Sequence, residues 1–224
     1  ITHHHSDHMT DVADLMITRW VRNGAMPFPI VAPDGPAANL LARLMPFWED
    51  DINVRQTHGR RENRPEVEVH AFAAGEDPVV VWERGSVRVT SVAVNHEPVV
   101  PAVGYRVDAS EGSITISGDT RVSPALMRLA DGSDILLHEA MRSEPVLSAG
   151  LDHVAAYHSD TQELGRAVAG LDIKTLVLTH LEPSPSDRAA AARFAEEVHR
   201  GGFEGNVVVA QDLVTVDHRG GVYW

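Results

Sequence analysis

The sequence contains no cysteine in its 224 residues. This absence excludes disulfide bonds and any zinc site built on thiolates, so a bound metal must be held by imidazole or carboxylate groups. The sequence also has no apolar run close to the roughly 18 residues that a membrane-spanning helix needs. We therefore expect a globular protein with no membrane partner. The sequence leaves the location open, and we favour the cytoplasm.

Positive charge is scarce as well, with 19 Lys and Arg against 32 Asp and Glu and a formal net charge of −13. Such a surface repels phosphate backbones unless a local basic patch overrides it, which disfavours a long nucleic acid as partner. The run Arg60-Arg61-Glu62-Asn63-Arg64 could supply a phosphate contact, but a solvated loop is the simpler interpretation.

Helical and strand patterns alternate along the chain, which is typical of an α/β fold. Apolar residues at helical spacing, such as Val12, Leu15, Met16 and Trp20, predict the first helix. The predicted helices cover 11–23, 37–45, 123–130, 161–169 and 186–200. The predicted strands cover 27–32, 67–72, 79–82, 87–94, 104–107, 113–117, 134–138, 175–179, 207–210 and 214–217. The polar segment 50–66 is expected to be a loop or lid edge. No linker or repeat interrupts the pattern, so we expect one domain over 1–224.

The densest chemical signal is the run His3-His4-His5-Ser6-Asp7-His8. Read as H-x-H-x-D-H, it offers imidazole nitrogens and a carboxylate, the donors that zinc accepts when thiolates are absent. Its spacing permits two cations at the roughly 3.5–4 Å separation of bimetallic hydrolases. An expression-tag remnant would look similar, but it would predict no partner residues downstream.

Partner residues do follow downstream, because three predicted strands each run directly into a His or Asp. These pairs are the strand 87–94 with His96, the strand 113–117 with Asp119, and the strand 175–179 with His180. Strand ends are where α/β sheets place their ligands. One such residue could be structural, but their joint occurrence favours a metal site over a tag.

The order H-x-H-x-D-H, His, Gly-Asp-Thr, Thr-His resembles the metallo-β-lactamase superfamily, in the branch of ribonuclease Z, small phosphodiesterases and zinc-dependent arylsulfatases. The resemblance implies an αββα sandwich, a homodimer as a possible assembly, and two Zn²⁺ ions, with Mn²⁺ or Fe as alternatives. Because the motif starts at the second residue, we expect the N-terminal strands of that fold to be missing from this chain. The implied ligands are His3, His5 and His96 for one metal, Asp7, His8 and His180 for the other, and Asp119 as the bridge.

Two further motifs resemble the same branch. His138-Glu139-Ala140 follows a buried strand, and Tyr157-His158-Ser159-Asp160-Thr161 precedes a helix. The resemblance implies that Glu139 and His158 lie near the scissile ester, although the usual His-Ser-Thr is one residue longer here. His158 would protonate the leaving oxygen, with Glu139 holding its ring. His153 is a rival for this role, and His138 is interpreted as a core histidine.

These residues predict a two-zinc hydrolase in which a metal-bridging hydroxide, oriented by Asp7, is the nucleophile. A small phosphodiester or aryl sulfate ester is the expected substrate. The alternative is a ribonuclease Z-type endonuclease that processes the 3′ end of transfer RNA. Such enzymes commonly carry a long arm between the third-motif His and the bridging Asp, and here that interval is only 119 − 96 = 23 residues. A β-lactamase or lactonase and a non-catalytic binding module rank below these two.

Overall fold

A computed structural model describes residues 1–59 and 62–223. The contacts divide the chain into two compact units, Ile1–Ala74 and Gly75–Trp224, which we call the first and the second unit. Among the described residues, no helix is both long and apolar enough to cross a bilayer. The expectation of a single domain over 1–224 stays a prediction.

The first unit is built from three helices and a two-stranded parallel sheet. Its elements are a 3-10 turn Ser6–His8, α1 (Val12–Val21), β1 (Phe28–Pro33), α2 (Pro36–Leu41), a 3-10 turn Met45–Trp48, α3 (Glu49–Gly59) and β2 (Val67–Phe72). β1 and β2 pair with Phe28 opposite Val67. Met16 of α1 packs in one core cluster with Ile30 and Leu41, whereas Leu15, which the same helical spacing included, is 56% exposed.

Helix α3 corrects the prediction of a loop over 50–66. The segment is polar on nearly every side, so apolar periodicity gives no helix signal there. Three acidic residues in its first turn favour a helix start through the helix dipole. Ile52, which is 1% exposed, packs with Ile17 and Trp20 and supplies the one buried contact that the pattern conceals.

The basic run that follows α3 is only partly described, since Arg60 and Arg61 lie outside the described residues. The guanidinium of Arg64 donates to Glu49 Oε2 at 2.6 Å, Gln56 Oε1 at 2.9 Å and Asn53 Oδ1 at 3.1 Å. These contacts tie Arg64 to α3, which agrees with a structural role better than with a phosphate contact.

The second unit is built on a seven-stranded mixed sheet. The strands of this sheet are β3 (Val79–Arg84), β4 (Val87–Ala93), β5 (Val103–Ala109), β6 (Gly112–Ile116), β7 (Ile135–Met141), β8 (Thr175–Glu182) and β9 (Asn206–Val209). A separate two-stranded sheet is formed by β10 (Thr215–Val216) and β11 (Val222–Tyr223). The helices of the second unit are α4 (Pro124–Ala130), α5 (Ser143–Ser148), α6 (Asp152–Ala155), α7 (Thr161–Val168) and α8 (Arg188–Arg200). The sheet order is β3-β4-β5-β6-β7-β8-β9. Pairing is antiparallel from β3 to β6 and parallel from β6 to β9.

The core of the second unit lies between this sheet and the helices α4, α7 and α8. Leu136 and Leu178 on the strands contact Leu126, Leu164 and Phe194 on the helices, and all five are fully buried. Because β6, β7 and β8 are parallel, their carboxyl ends meet at one edge of the sheet. The parallel pairing of these strands therefore places Asp119, which follows β6, and His180, in β8, at the same edge of the sheet.

Helices α7 and α8 approach so closely that only glycine fits between them. A Cβ added to Gly165 would lie 2.1 Å from the carbonyl oxygen of Val198, and one added to Gly201 would lie 2.4 Å from that of Gln162. Such distances are far below van der Waals contact. This close packing sets the position of the loop that leads into α7, where His158 lies.

Candidate metal centre

The first group of candidate ligands is organised by one tight turn at the start of the chain. His8 donates its backbone N–H to the His5 carbonyl at 3.2 Å, and Met9 donates to the Ser6 carbonyl at 3.0 Å. The turn brings the rings of His3 and His8 to a centroid distance of 4.1 Å and those of His3 and His5 to 5.0 Å. We call His3, His5, Asp7 and His8 the turn cluster.

Carboxylate and imidazole lie side by side within the turn cluster. His8 Nε2 is 3.2 Å from Asp7 Oδ2, and one ligand atom of His3 lies within 4.8 Å of one of His5. The ring of His4 is displaced, with its centroid 6.5 Å from that of His5. His4 is not among the residues whose ligand atoms cluster.

The second group is centred on Asp119, whose carboxylate lies between two imidazoles. Asp119 Oδ2 is 3.9 Å from His96 Nε2 and 3.5 Å from His180 Nε2. His96 is fully buried and Asp119 is 3% exposed. We call these three residues the strand-end cluster. One carboxylate oxygen of Asp119 therefore faces both imidazole nitrogens.

Backbone geometry aims the side chains of this cluster. Gly118, directly before Asp119, has φ +61°, a left-handed conformation that glycine adopts without steric cost. His180 has φ +44° although it carries a side chain, and it lies at a register shift where Thr179 pairs with Glu139 and Leu181 with Ala140. His180 is therefore the extra residue of a β-bulge, a device that re-aims a side chain near functional sites.

The tautomer of His96 is set by a backbone carbonyl. Its Nδ1 lies 3.1 Å from the Tyr157 oxygen, which can only accept, so Nδ1 carries the proton and Nε2 faces Asp119. A second nitrogen donating to a carbonyl is the usual way in which a metal-binding imidazole is oriented. The same contact ties His96 to the loop that carries His158.

Glu139 and His158 form a buried pair beside the strand-end cluster. His158 Nδ1 is 3.1 Å from Glu139 Oε1, and the two side chains are 6% and 1% exposed. The ring of His158 stacks on that of His180, with centroids 5.4 Å apart. His153, the rival candidate, lies exposed on α6. The choice of His158 over His153 as the imidazole that serves the site stays a prediction.

The pair retains one proton more tightly than its separate members would. Burial raises the pKa of Glu139. Burial alone would lower the pKa of His158, but its hydrogen bond to Glu139 and the charge of that carboxylate raise this pKa above its ordinary value. Both directions favour the protonated form of the pair over what its separate members would show.

His138, the neighbour of Glu139 in the chain, has a different environment. Its Nδ1 donates to the Glu139 carbonyl at 2.6 Å, its Nε2 has no hydrogen-bond partner, and it is fully buried. Burial lowers its pKa to about 4, so the ring is neutral at pH 7. This environment matches the interpretation of His138 as a core histidine.

Three hydroxyl-bearing residues around Glu139 were not predicted from the sequence. Ser117 Oγ accepts the backbone N–H of Glu139 at 3.0 Å, and the backbone N–H groups of Thr120 and Ser159 donate to Glu139 Oε1 at 3.2 and 3.0 Å. Each residue lies within two positions of a predicted site residue, and that adjacency is the signal that could have identified it.

Asp160 is the residue that separates Ser159 from Thr161, where the usual motif has Ser and Thr adjacent. Its carboxylate accepts the backbone N–H groups of Gln162 at 2.9 Å and Glu163 at 3.0 Å, and it therefore caps α7. Thr161 then turns inward and donates its hydroxyl to Glu197 Oε2 at 2.6 Å. The extra residue thus has a local structural role, and His158 still reaches Glu139.

The donor chemistry of the two clusters fits a binuclear metal site of this fold. The clusters contain only imidazole nitrogen and carboxylate oxygen, which zinc, manganese and iron all accept.

Comparisons with known proteins agree with this chemistry. A family model described as "Beta-lactamase superfamily domain" matches residues 1–181. Ribonuclease Z of Mycobacterium bovis (strain BCG / Pasteur 1173P2) is 32% identical over 226 residues, which cover 97% of this chain and 78% of that protein.

Two solved structures show the same fold. The metallo-beta-lactamase fold protein YhfI of Bacillus subtilis matches with a TM-score of 0.63 and 19% identity over 100% of this chain and 75% of that one. The short form of human tRNase Z matches with a TM-score of 0.62 and 20% identity over 100% of this chain and 77% of that one. With its α/β fold and its His and Asp clusters, the chain belongs to the metallo-β-lactamase superfamily, in its ribonuclease Z-like branch.

Proposed function

We propose that this protein is a metal-dependent ribonuclease of the ribonuclease Z type, which hydrolyses a phosphodiester bond near the 3′ end of transfer RNA. The observation that carries the hydrolase assignment is the position of Asp119 Oδ2, 3.9 Å from His96 Nε2 and 3.5 Å from His180 Nε2. The choice of substrate rests on the ribonuclease Z relative, which matches 97% of the chain.

This proposal takes the alternative of the sequence analysis in preference to its main hypothesis, a small ester. The acidic charge and the short interval of 23 residues favoured the small ester, but both are indirect measures of substrate. A net charge averages the whole surface, whereas RNA contacts only the part around the site. None of the relatives named above is a sulfatase, so an aryl sulfate has no support from them.

For the metal ligands we propose the assignment that family membership implies. His3, His5 and His96 would hold one cation, Asp7, His8 and His180 the other, and Asp119 both. Its support is that the turn cluster and the strand-end cluster are each preorganised, the first by the turn at Ser6–His8 and the second by strand ends and a bulge. Two bound cations would supply a nucleophilic water at neutral pH and would take up negative charge on the phosphate oxygens.

The remaining steps fall to side chains of this chain. Asp7 would accept a hydrogen bond from the attacking water and orient it, and its carboxylate is well exposed, as a group that meets substrate must be. Glu139 Oε1 would hold Nδ1 of His158, so that Nε2 faces the leaving oxygen. His158 would then deliver its proton to that oxygen as the phosphorus–oxygen bond breaks.

A substrate panel tests the proposal most directly. The zinc-loaded protein would be assayed with precursor transfer RNA, bis-p-nitrophenyl phosphate and p-nitrophenyl sulfate in one buffer, with Asp119→Ala as the control for contaminating nuclease. We expect the largest kcat/KM for precursor transfer RNA, with cleavage near the 3′ end of the transfer RNA. A larger kcat/KM for either nitrophenyl ester would return the assignment to a small-ester hydrolase.

A further inference from the structure

Two loops of the second unit meet at Ser159. The Ser159 hydroxyl donates to the Thr120 carbonyl at 2.7 Å, which joins the loop after β6 to the loop before α7. The Ser159 backbone N–H donates to Glu139 Oε1 at 3.0 Å. Ser159 and Thr120 are both fully buried, so neither contact is weakened by competing water.

The carbonyl that Ser159 binds is itself held in place. The Thr120 N–H donates to Glu139 Oε1 at 3.2 Å, and Thr120 Oγ1 accepts the backbone N–H of Asn95 at 3.0 Å. The Thr120 peptide is thereby fixed to β7 on one side and to the end of β4 on the other. Ser159 is attached to a fixed point of the scaffold, directly beside His158 in the chain.

The same carboxylate oxygen also orients the ring of His158. Glu139 Oε1 accepts from Thr120, from Ser159 and from His158 Nδ1 at 3.1 Å. Three donors around one oxygen define the position of the Glu139 carboxylate. The Ser159 hydroxyl makes a separate contact, to the Thr120 carbonyl, and so joins the two loops directly. The backbone also holds the loop 157–160, since Met141 donates its N–H to the Ser159 carbonyl at 2.8 Å. Loss of the hydroxyl would remove the direct link to the Thr120 carbonyl and leave Ser159 attached through its backbone contacts alone.

From this network we infer that Ser159 is a positioning residue, which acts through its hydroxyl to hold His158 at the angle at which it gives a proton to the leaving oxygen. The inference rests on the proposed function, in which His158 has that role. A group that transfers a proton must be held within about 0.5 Å of its productive position, and a displacement of about 1 Å can cost roughly 10²-fold in rate.

Leaving-group chemistry offers a selective test. The ribose alkoxide expelled from RNA is strongly basic and needs a proton as the bond breaks, whereas p-nitrophenolate is a weak base and departs without one. Misplacing His158 should therefore slow the cleavage of RNA and leave bis-p-nitrophenyl phosphate nearly unaffected. A general loss of folding or of metal would slow both.

The experiment compares Ser159→Ala with Ser133→Ala in the zinc-loaded protein. Ser133 is a matched control, because its hydroxyl is also buried, bonds Thr115 Oγ1 at 2.8 Å, and lies at the opposite end of β7. For Ser159→Ala we expect kcat on precursor transfer RNA to fall roughly 10- to 100-fold with KM unchanged, while turnover of bis-p-nitrophenyl phosphate changes less than about threefold. Ser133→Ala should not change the ratio of the activities on the two substrates. Ser159→Thr, which keeps the hydroxyl, should retain most of the activity on precursor transfer RNA.

A second measurement is independent of substrate. In the metal-free protein, proton NMR should show a downfield resonance for His158 Nδ1–H, assigned by its loss in His158→Ala. We expect it to shift or broaden in Ser159→Ala and to persist in Ser133→Ala. An unchanged resonance in Ser159→Ala would overturn the inference, and so would an equal loss of activity on both substrates.

His158→Ala separates failure of the inference from failure of the proposed function. If His158→Ala slows RNA and bis-p-nitrophenyl phosphate equally, the acid role of His158 is wrong. If His158→Ala is selective for RNA and Ser159→Ala is not, the acid role stands and the positioning role of Ser159 is wrong.

Discussion

The turn cluster and the strand-end cluster present the same kinds of donor atom but are built in opposite ways. The turn cluster lies within six consecutive positions, and two backbone hydrogen bonds of one 3-10 turn organise it. The strand-end cluster draws His180 from β8 and His96 and Asp119 from the segments that follow β4 and β6. It depends on a left-handed glycine, a bulge and a backbone acceptor for His96.

The two clusters owe their preorganisation to different parts of the molecule. Consecutive residues reach a common point through local turn geometry, at the cost of ordering a few dihedral angles. Residues from distant strands reach a common point only when the whole sheet is folded, so their geometry is as rigid as the core behind them. We therefore expect the strand-end cluster to be the more sensitive of the two to changes in the scaffold.

The largest expected effect is that of Asp119→Ala, compared with Asp7→Ala. Because Asp119 is proposed to contact both cations, its loss should reduce bound zinc from about two to fewer than one per chain and abolish activity. Asp7→Ala should lose one cation only. Metal content after dialysis, measured by mass spectrometry, checks both variants, and two retained zinc ions in Asp119→Ala would rule out the bridge.

Next in size is His158→Ala, compared with His153→Ala. His158 is buried on Glu139, whereas His153 is exposed on α6. Removing a general acid typically lowers kcat roughly 10²–10⁴-fold. His158→Ala should therefore lower kcat for precursor transfer RNA by this factor, while its zinc content stays unchanged. His153→Ala should stay close to the parent protein. The reverse order in single-turnover rates would move the acid role to His153.

The scaffold behind the strand-end cluster is tested by Gly165→Ala, with Gly170→Ala as its control. A Cβ at Gly165 would lie 2.1 Å from a backbone oxygen of α8, while one at Gly170 would have no heavy atom within 4 Å. Overpacking of this kind costs about 1–3 kcal/mol, more than the helix propensity that alanine gains. Urea unfolding should show this loss for Gly165→Ala only. Equal stability of the two variants would mean that α7 and α8 can move apart.

Much of the second unit could be predicted from the sequence, because its strands are short apolar runs ended by turn residues. The strand over 67–72 in the first unit was also confirmed with the predicted bounds. Helices α5 and α6 were missed, since Ser143–Ser148 and Asp152–Ala155 are too short to show a period. Helix α3 was missed because only Ile52 carries its buried face.

The candidate site divides in the same way. The types of ligand and their order along the chain follow from motifs, so the sequence predicted the ligand candidates by residue. The bulge at His180 and the hydrogen bonds to Glu139 depend on register and loop position, which no local pattern encodes. Substrate was the weakest prediction, because overall charge and the length of one interval do not describe the surface around the site.

The smallest expected effect concerns pH and the far end of the strands that carry the strand-end cluster. Asp134, directly before β7, accepts hydrogen bonds from the Lys174 ammonium and, at 2.7 Å, from the Ser113 backbone N–H. These bonds lower the pKa of Asp134 below its ordinary value. A carboxyl whose folded pKa is lowered stabilises the fold above its unfolded pKa of about 3.9, and this contribution is lost as the pH falls through the folded pKa. Asp134→Asn should therefore reduce the free energy of unfolding by about 1 kcal/mol at pH 7 and progressively less below pH 4. Urea titrations at several pH values check this, and a difference that persists undiminished at pH 2 would show that the ionised form of Asp134 is not what ties β6 to β7.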